Sequence, residues 1–184
     1  YGIELPLLQV LAKMELEGIK LDDPYINGLA KDLETDIANL EGEIFELAGE
    51  TFNIASPKQL GIVLFEHMTL VEKPKKTKTG QYATSEDILS ALASEHAIVA
   101  SILEYRGLVK LKNTYVDALP NEVNEKTARV HTTYSQAVAA TGRLSSNNPN
   151  LQNIPIRTER GKLVRKAFVA KDENYTLMAA DYSP

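Results

Sequence analysis

The stretch DDPYINGLAKDLETDIANLEGEIFELAG, residues 22–49, decides the fold of the first part of the chain. Asp22 and Asp23 followed by Pro24 are typical of a helix start, because an acidic residue caps free amides and proline fits the first turn. Gly49 marks the expected end. The apolar residues between them recur in steps of three and four, which predicts one stripe on a helix of about 24 residues. The stripe consists of Ile26, Leu29, Leu33, Ile37, Leu40, Ile44 and Leu47.

Helical spacing also appears on both sides of this stretch. It predicts a helix over residues 3–16, a shorter helix beginning at Ser56-Pro57, and a second long helix over roughly residues 95–119. Between the two long helices, EKPKKTKTGQYATSED (residues 72–87) holds four lysines and is typical of a solvated loop. This order predicts an antiparallel helical hairpin with a lysine-rich tip. The apolar stripes are interpreted as core, with a coiled-coil partner surface as the alternative.

The pattern changes after Pro120. Residues 129–136, 163–170 and 175–180 are rich in β-branched, aromatic and other apolar residues, and they are predicted as short strands. We therefore expect an α+β fold that is mainly α, with a helical region followed by short strands of an incomplete sheet. The two predicted regions are residues 1–120 and residues 121–184.

Composition limits the class of protein. The chain has 184 residues, 43% of them apolar, which suits one domain or one domain plus part of another. It contains no cysteine, so disulfides and thiolate metal sites are excluded, and this fits a cytosolic protein. No apolar run approaches the roughly 18 residues of a membrane span, and no signal peptide is visible at Tyr1.

Charge is distributed unevenly along the chain. The net charge is −5, but residues 1–70 hold 4 Lys and Arg against 13 Asp and Glu, whereas residues 71–184 hold 16 against 12. Four of these basic residues fall within residues 73–78 and six within residues 143–166. Such asymmetry indicates a local anionic partner rather than a basic protein as a whole.

Two polar clusters are candidates for phosphate contact. Lys75, Lys76 and Lys78 lie in the predicted loop, where lysines can follow a nucleic-acid backbone without reading its bases. A solvated loop without a partner is the alternative. The second cluster lies in the second long helix. It either belongs to the solvent-exposed face of that helix or contacts further phosphates. Its residues are Lys112, Asn113 and Thr114.

The segment TGRLSSNNPNLQNIPIR, residues 141–157, is rich in Asn, Ser and Pro and is predicted as a loop. Small residues before Arg143 allow a close backbone approach, and its guanidinium can give two parallel hydrogen bonds to a base edge or a phosphate. Asn150 and Gln152 carry amides that can contact bases or sugars without charge. A well-capped structural loop is the alternative.

Asp181 follows the last apolar segment directly. A carboxylate at the end of a strand is a frequent ligand of hard cations such as Mg²⁺, although a turn or a helix cap is the alternative. His67, His96 and His131 show no ligand spacing and are interpreted as structural or surface residues. No P-loop, dinucleotide fingerprint or nucleophile elbow is present.

Six segments of the chain closely resemble the family A DNA polymerases, of the bacterial DNA polymerase I type, and they occur in the same order. They are ASPKQLGIVLFE (residues 55–66), KKTKTGQYATSED (75–87), ILEYRGLVKLKNTYVDALP (102–120), AVAATGRLSSNNPNLQNIPIR (137–157), GKLVRKAFVA (161–170) and LMAADYS (177–183). The resemblance covers nearly the whole chain. It implies that residues up to about 120 form the thumb, a helical hairpin, and that the following residues form the first part of the palm.

The resemblance also implies roles for single residues. Asp181 matches the first of the family's two metal-binding aspartates, whose carboxylate would bridge two Mg²⁺ ions, and the carbonyl of Tyr182 would complete part of the shell. Arg143 matches an arginine that reaches the minor groove at the primer terminus, where purine N3 and pyrimidine O2 are acceptors at every base pair. The remaining matches are Asn150 and Gln152 near the primer–template duplex, and Arg157 near the nucleotide pocket.

The implied activity is DNA-directed DNA synthesis by two-metal catalysis, with primer–template DNA and a dNTP as partners. A monomeric protein of the bacterial cytoplasm, without a membrane partner, is expected. The family's second catalytic aspartate and its fingers do not occur within these 184 residues, so the isolated chain is expected not to polymerise. Two other classes stay open: a non-catalytic module that binds duplex DNA, and a helical interaction protein built on the apolar stripes.

Overall fold

The computed structural model describes residues 2–156, 158–178 and 180. As expected, the fold is α+β and mainly α, with short antiparallel strand pairs. The α-helices of the described residues are α1 (Glu4–Glu17), α2 (Asp23–Ala48), α3 (Pro57–Ile62), α4 (Glu86–Leu92), α5 (Ala97–Leu111) and α6 (Glu159–Lys166). The strands are β1 (Lys20–Leu21), β2 (Val123–Asn124), β3 (Arg129–Val130), β4 (Thr133–Ser135), β5 (Ser145–Asn147) and β6 (Phe168–Val169). None of the helices in this part of the chain is long and apolar enough to span a membrane.

Helix α2 confirms the prediction made from the stretch 22–49. It has 26 residues. At its start the carboxylate of Asp22 accepts a hydrogen bond from the amide of Tyr25 at 3.0 Å, which satisfies one of the free amides. At its end Gly49 has a φ of 72°, a conformation that glycine adopts without steric cost, and its amide bonds to the carbonyl of Phe45.

Contacts group the chain into two compact units. One unit consists of residues 32–110, and the other of the residues before and after them. The predicted division at residue 120 concerns the thumb and the palm, and it stays a prediction.

The unit of residues 32–110 is built around one apolar cluster, to which α2 and α5 both contribute. The two helices touch within this unit, where the hydroxyl of Ser101 on α5 donates a hydrogen bond of 2.8 Å to the carboxylate of Glu43 on α2. The buried residues of the cluster are Ile44, Ile54, Leu60, Leu64, Phe65, Leu89, Ile98, Val99 and Ile102. Burial of these side chains is the main stabilising term of the unit.

The second long helix differs from the prediction at its end. The α-helical pattern of α5 stops at Leu111, and the chain continues through a π-helical turn, Lys112–Val116, and a 3-10 turn, Leu119–Glu122. The amide of Asp117 bonds to the carbonyl of Lys112, five residues back, which is the pattern of a π turn. Hydrophobic spacing does not distinguish such a turn from one more turn of α-helix.

The other unit contains the three antiparallel strand pairs β1–β6, β2–β3 and β4–β5. Ile19, directly before β1, exchanges two backbone hydrogen bonds of 2.9 Å with Val130 in β3, so β1 lies beside both β6 and β3. The predicted strand over residues 129–136 is present as two shorter strands, β3 and β4.

The predicted strand over residues 163–170 is wrong for its first half. Residues 159–166 form α6, and the strand is confined to Phe168–Val169. The hydroxyl of Thr158 caps this helix by accepting from the amide of Gly161 at 3.0 Å. The predicted last strand, residues 175–180, is also wrong where the structure describes it, because residues 175–178 and 180 form no regular secondary structure.

Candidate nucleic-acid interface

The lysine-rich segment forms an ordered turn. Residues 75–83, here called the lysine hairpin, are closed by hydrogen bonds from the amide of Ala83 to the carbonyl of Lys75 at 2.9 Å and from the amide of Thr77 to the carbonyl of Gln81 at 2.7 Å. Gly80 has a φ of 81°, which the turn requires. The lysine hairpin presents three exposed lysine side chains, here called the tip lysines. They are Lys75, Lys76 and Lys78.

A cavity of about 660 Å³ lies beside the lysine hairpin within the same unit. Thr77 and Ser85 line it, together with Arg106 and Lys110 from α5. Arg106 donates a hydrogen bond of 2.6 Å to the carbonyl of Thr84, and burial lowers the pKa of its guanidinium while nearby Glu86 opposes that shift. The guanidinium of Arg106 nevertheless stays protonated at neutral pH, because the ordinary pKa of arginine is far above 7. The cavity therefore adds two basic side chains to the tip lysines.

Sequence reasoning did not single out Arg106 and Lys110. Their spacing of four residues on a helix places both on one face, and this was a usable signal. The pattern was missed because α5 as a whole is dominated by apolar residues. The two basic residues become a candidate phosphate site only in the folded protein, where the lysine hairpin lies next to that face of α5.

The triplet Lys112-Asn113-Thr114 lies in the π-helical turn after α5. The ammonium of Lys112 is 2.9 Å from both carboxylate oxygens of Asp117, so its charge is paired within the turn. Asn113 and Thr114 are exposed. Two of the three candidate side chains are thus open to an external partner, and the lysine is engaged locally.

The segment that contains Arg143 is a loop, as predicted, and it has a buried polar centre. We call residues 141–156 the arginine loop. The hydroxyl of Thr132 lies 2.6 Å from the hydroxyl of Ser146 and 2.8 Å from the carbonyl oxygen of Pro149. Both side chains are almost fully buried, with 7% and 0% of their surface exposed. Buried hydroxyls are tolerated because these hydrogen bonds replace water.

Asn150 and Gln152 take part in the internal hydrogen bonding of the arginine loop. The amide of Ser146 donates to the side-chain oxygen of Gln152 at 3.1 Å, and the amide of Gln152 donates to the side-chain oxygen of Asn150 at 3.0 Å. Both residues therefore have a structural role within the arginine loop. Both are nevertheless exposed, and their NH₂ groups can donate outward.

Arg143 is exposed on the arginine loop. Gly142 before it has a φ of 75°, and its amide bonds to the carbonyl of Ala139 at 3.0 Å, which turns the chain sharply. A glycine is required there because other residues rarely adopt this conformation. The turn gives the guanidinium of Arg143 an open approach from solvent.

The far end of the arginine loop is held by contacts that sequence reasoning missed. The hydroxyl of Tyr115 donates to the carbonyl of Asn153, and Arg165 on α6 donates to the carbonyl of Ile154 at 3.2 Å. Gly161 lies so close to Pro155 that an added Cβ would meet the proline Cβ at 2.6 Å. No short sequence pattern reports these contacts, because they join separate segments.

The predicted metal and nucleotide residues Asp181, Tyr182 and Arg157 lie outside the described residues. Within residues 2–156, 158–178 and 180, no group of three or more His, Cys, Asp or Glu side chains could hold a metal ion. His67 pairs with Glu50, and His131 bonds to the carbonyl of Glu15 at 2.7 Å, in agreement with structural or surface roles.

Comparisons with known proteins identify relatives of the whole chain. The family model of DNA polymerase family A matches residues 23–184. A DNA polymerase I of Chloroflexus aurantiacus is 50% identical over 186 residues, which cover 100% of this chain and 20% of that protein. A thermostable DNA polymerase I of Thermus filiformis is 50% identical over 181 residues, 98% of this chain and 22% of that protein.

A solved structure has a similar fold. The POL domain of Pol1 from M. smegmatis, in complex with DNA primer-template and dNTP, matches with a TM-score of 0.81 and 43% identity over 94% of this chain and 30% of that chain. The chain belongs to DNA polymerase family A. It spans about a fifth of the length of the curated relatives it matches.

Proposed function

We propose that this chain binds primer–template DNA and is part of a DNA-directed DNA polymerase. The observation that carries this is the 50% identity to proteins named DNA polymerase I over essentially the full chain. The structural relative in complex with DNA primer-template and dNTP supports the same ligands. We further propose that residues 1–120 are the thumb, that residues 121–184 begin the palm, and that the protein is a monomer of the bacterial cytoplasm.

The lysine hairpin supports contact with the sugar–phosphate backbone. Its three tip lysines are exposed on one ordered turn, and Arg106 and Lys110 lie at the adjacent cavity. Lysine and arginine bind phosphates through charge and read no bases, as a polymerase that copies any sequence requires. Asn113 and Thr114 can add neutral donors, whereas Lys112 would first have to leave Asp117.

The arginine loop supports contact with the minor groove. Arg143 is exposed there, and the buried centre formed by Thr132 and Ser146 fixes a later part of the same loop, through bonds to the carbonyl of Pro149 and the amide of Leu151. Minor-groove acceptors are present at every base pair, so a donor at this position checks the shape of a pair and tolerates any sequence. Asn150 and Gln152 can donate their NH₂ groups to the same duplex.

The chemistry is assigned to Asp181, with the carbonyl of Tyr182 as a further Mg²⁺ ligand and Arg157 near the nucleotide. All three lie outside the described residues, and the match to DNA polymerase family A over residues 23–184 supports these roles. When bound, two Mg²⁺ ions would activate the primer 3′-hydroxyl and stabilise the leaving pyrophosphate. The described residues would bind and orient the duplex.

A primer-extension assay on the polymerase that contains this chain tests the function. The unchanged protein should extend a primer and bind the duplex, and Asp181→Asn should abolish extension while duplex binding persists. Binding without extension in the unchanged protein would instead indicate the non-catalytic DNA-binding module. Absence of both binding and extension would contradict the assignment.

A further inference from the structure

We propose that Tyr82 is a positioning residue, which holds the lysine hairpin on the helical unit so that the tip lysines are presented to DNA in a fixed orientation. This inference rests on the proposed function. Tyr82 carries no charge, and no motif in the sequence indicated a role for it.

The ring of Tyr82 joins the lysine hairpin to the core. Its centroid is 5.5 Å from that of Phe65, with 49° between the ring planes, and Phe65 is only 5% exposed. An aromatic pair at this separation stabilises the fold by more than the hydrophobic effect of the surface area that it buries. The hairpin is therefore attached at Tyr82 to a side chain that cannot move freely.

The close fit at Gly61 shows that residue 82 sits against α3 itself. A Cβ added to Gly61 would lie 2.7 Å from the Cβ of Tyr82, which is shorter than real contacts between such atoms. Glycine inside a helix is unfavourable relative to alanine, so a glycine in α3 indicates a packing requirement. The requirement here is room for Tyr82.

Tyr82 also contacts one of the tip lysines directly. Lys76 and Tyr82 are paired across the lysine hairpin, and the ammonium of Lys76 lies 4.8 Å from the ring centroid. A cation at this distance from an aromatic face is attracted to it. The ring thus restricts both the backbone of the hairpin and the side chain of Lys76.

The segment that follows the hairpin is fixed independently. Arg106 donates to the carbonyl of Thr84 at 2.6 Å, and Thr84 is 7% exposed. Contacts with α5 therefore hold residue 84, and contacts with α3 and Phe65 hold residue 82, so the turn at residues 77–81 projects from a base attached at two points. Side chains that are ordered before binding lose less entropy when they bind, so the anchor should increase affinity without adding a charge.

Limited proteolysis of this chain tests the anchor without DNA. Trypsin cleaves after exposed lysines, and the rate at Lys75, Lys76 and Lys78 reports how often the hairpin opens. Tyr82→Ala should accelerate these cleavages at least severalfold, while Tyr82→Phe, which keeps the ring and loses only the contact of the hydroxyl with Glu66, should accelerate them much less. Gly61→Ala should accelerate them as well, because its methyl group displaces residue 82. Unchanged cleavage in both Tyr82→Ala and Gly61→Ala would overturn the inference.

Duplex binding by fluorescence anisotropy tests the consequence. Tyr82→Ala should weaken binding about threefold to tenfold. In a variant with all three tip lysines changed to Ala it should cause no further loss, because no lysine is left to position. An equal loss in both backgrounds would show that Tyr82 supports only the fold, and it would overturn the inference. If the triple variant binds as the unchanged chain does, the lysine contact of the proposed function is itself wrong, whatever the cleavage rates show.

Discussion

The backbone amide of Ser146 donates a hydrogen bond to the side-chain oxygen of Gln152, 3.1 Å away. Ser146 is fully buried, and Gln152 is exposed at the surface of the same loop. One side chain therefore supports the arginine loop with its oxygen and offers its NH₂ group to a ligand. The structural and the binding interpretations of this residue are compatible, and substitution can separate them.

Gln152→Leu should destabilise the chain by about 1–3 kcal/mol, because the buried amide of Ser146 loses its acceptor. Gln152→Glu keeps an acceptor and should retain most of the stability, but its charge should weaken duplex binding. Urea unfolding and anisotropy measure the two effects. A leucine variant as stable as the unchanged chain would show that water or another group replaces the hydrogen bond.

Thr158→Ala should reduce stability by about 1 kcal/mol, because it removes the side-chain cap of α6. Thr158→Ser keeps the hydroxyl and is the matched control. The free energy of unfolding from urea titration measures both. If the two variants are equally stable, the hydroxyl of residue 158 does not cap the helix in solution.

Helix α6 shows why part of the fold could not be predicted from the sequence. LVRKAFVA has the composition of a strand, but its first half is helical because Thr158 caps it and because the hydroxyl of Tyr25 bonds to the carbonyl of Leu163 at 3.1 Å. The second contact joins residues 138 positions apart. The strand propensity of this segment reflects only neighbouring residues, so it cannot include such a contact, and the contact overrides it here.

The parts that were predicted depend on local chemistry. The stripe of α2, its acidic start and Gly49 lie within one stretch, and the structure confirms them. The loop character of the lysine-rich segment and of the arginine loop followed from composition. Their anchors, Tyr82 in one and Ser146 in the other, were not predicted, because each acts through a neighbour that the fold brings close.

The pH dependence of stability should include a contribution from Glu17. Its pKa is lowered by the hydrogen bond from Arg129, followed by the charge of Lys171. A carboxyl whose pKa is lower in the folded state stabilises above its ordinary pKa, and this stability is lost as the pH falls through the lowered value. Glu17→Gln should therefore lower the urea midpoint near neutral pH, and the difference between the two proteins should shrink as the pH falls below the ordinary pKa of a glutamate. A difference that stays constant with pH would contradict the ion pair; Glu125→Gln is the charge-matched control.

Arg143→Ala in the polymerase should reduce kcat about tenfold to a hundredfold with little change in the KM for dNTP, because a charge-assisted hydrogen bond contributes about 1.5–3 kcal/mol and positions the attacking hydroxyl. A 3-deazaguanine at the primer terminus removes the acceptor of the same bond. The two losses should be non-additive in single-turnover extension. Full additivity would indicate that Arg143 braces its own loop.

The salt dependence of duplex binding tests the central claim, that the lysine hairpin contacts DNA phosphates. Changing Lys75, Lys76 and Lys78 to Ala together should reduce the slope of log K against log salt by up to about 0.9 for each lost contact. A control removes the same charge from three exposed lysines elsewhere, Lys13, Lys58 and Lys126. We predict a flatter slope for the first variant and a slope close to that of the unchanged chain for the control. Equal slopes for the unchanged chain and the hairpin variant would contradict the claim.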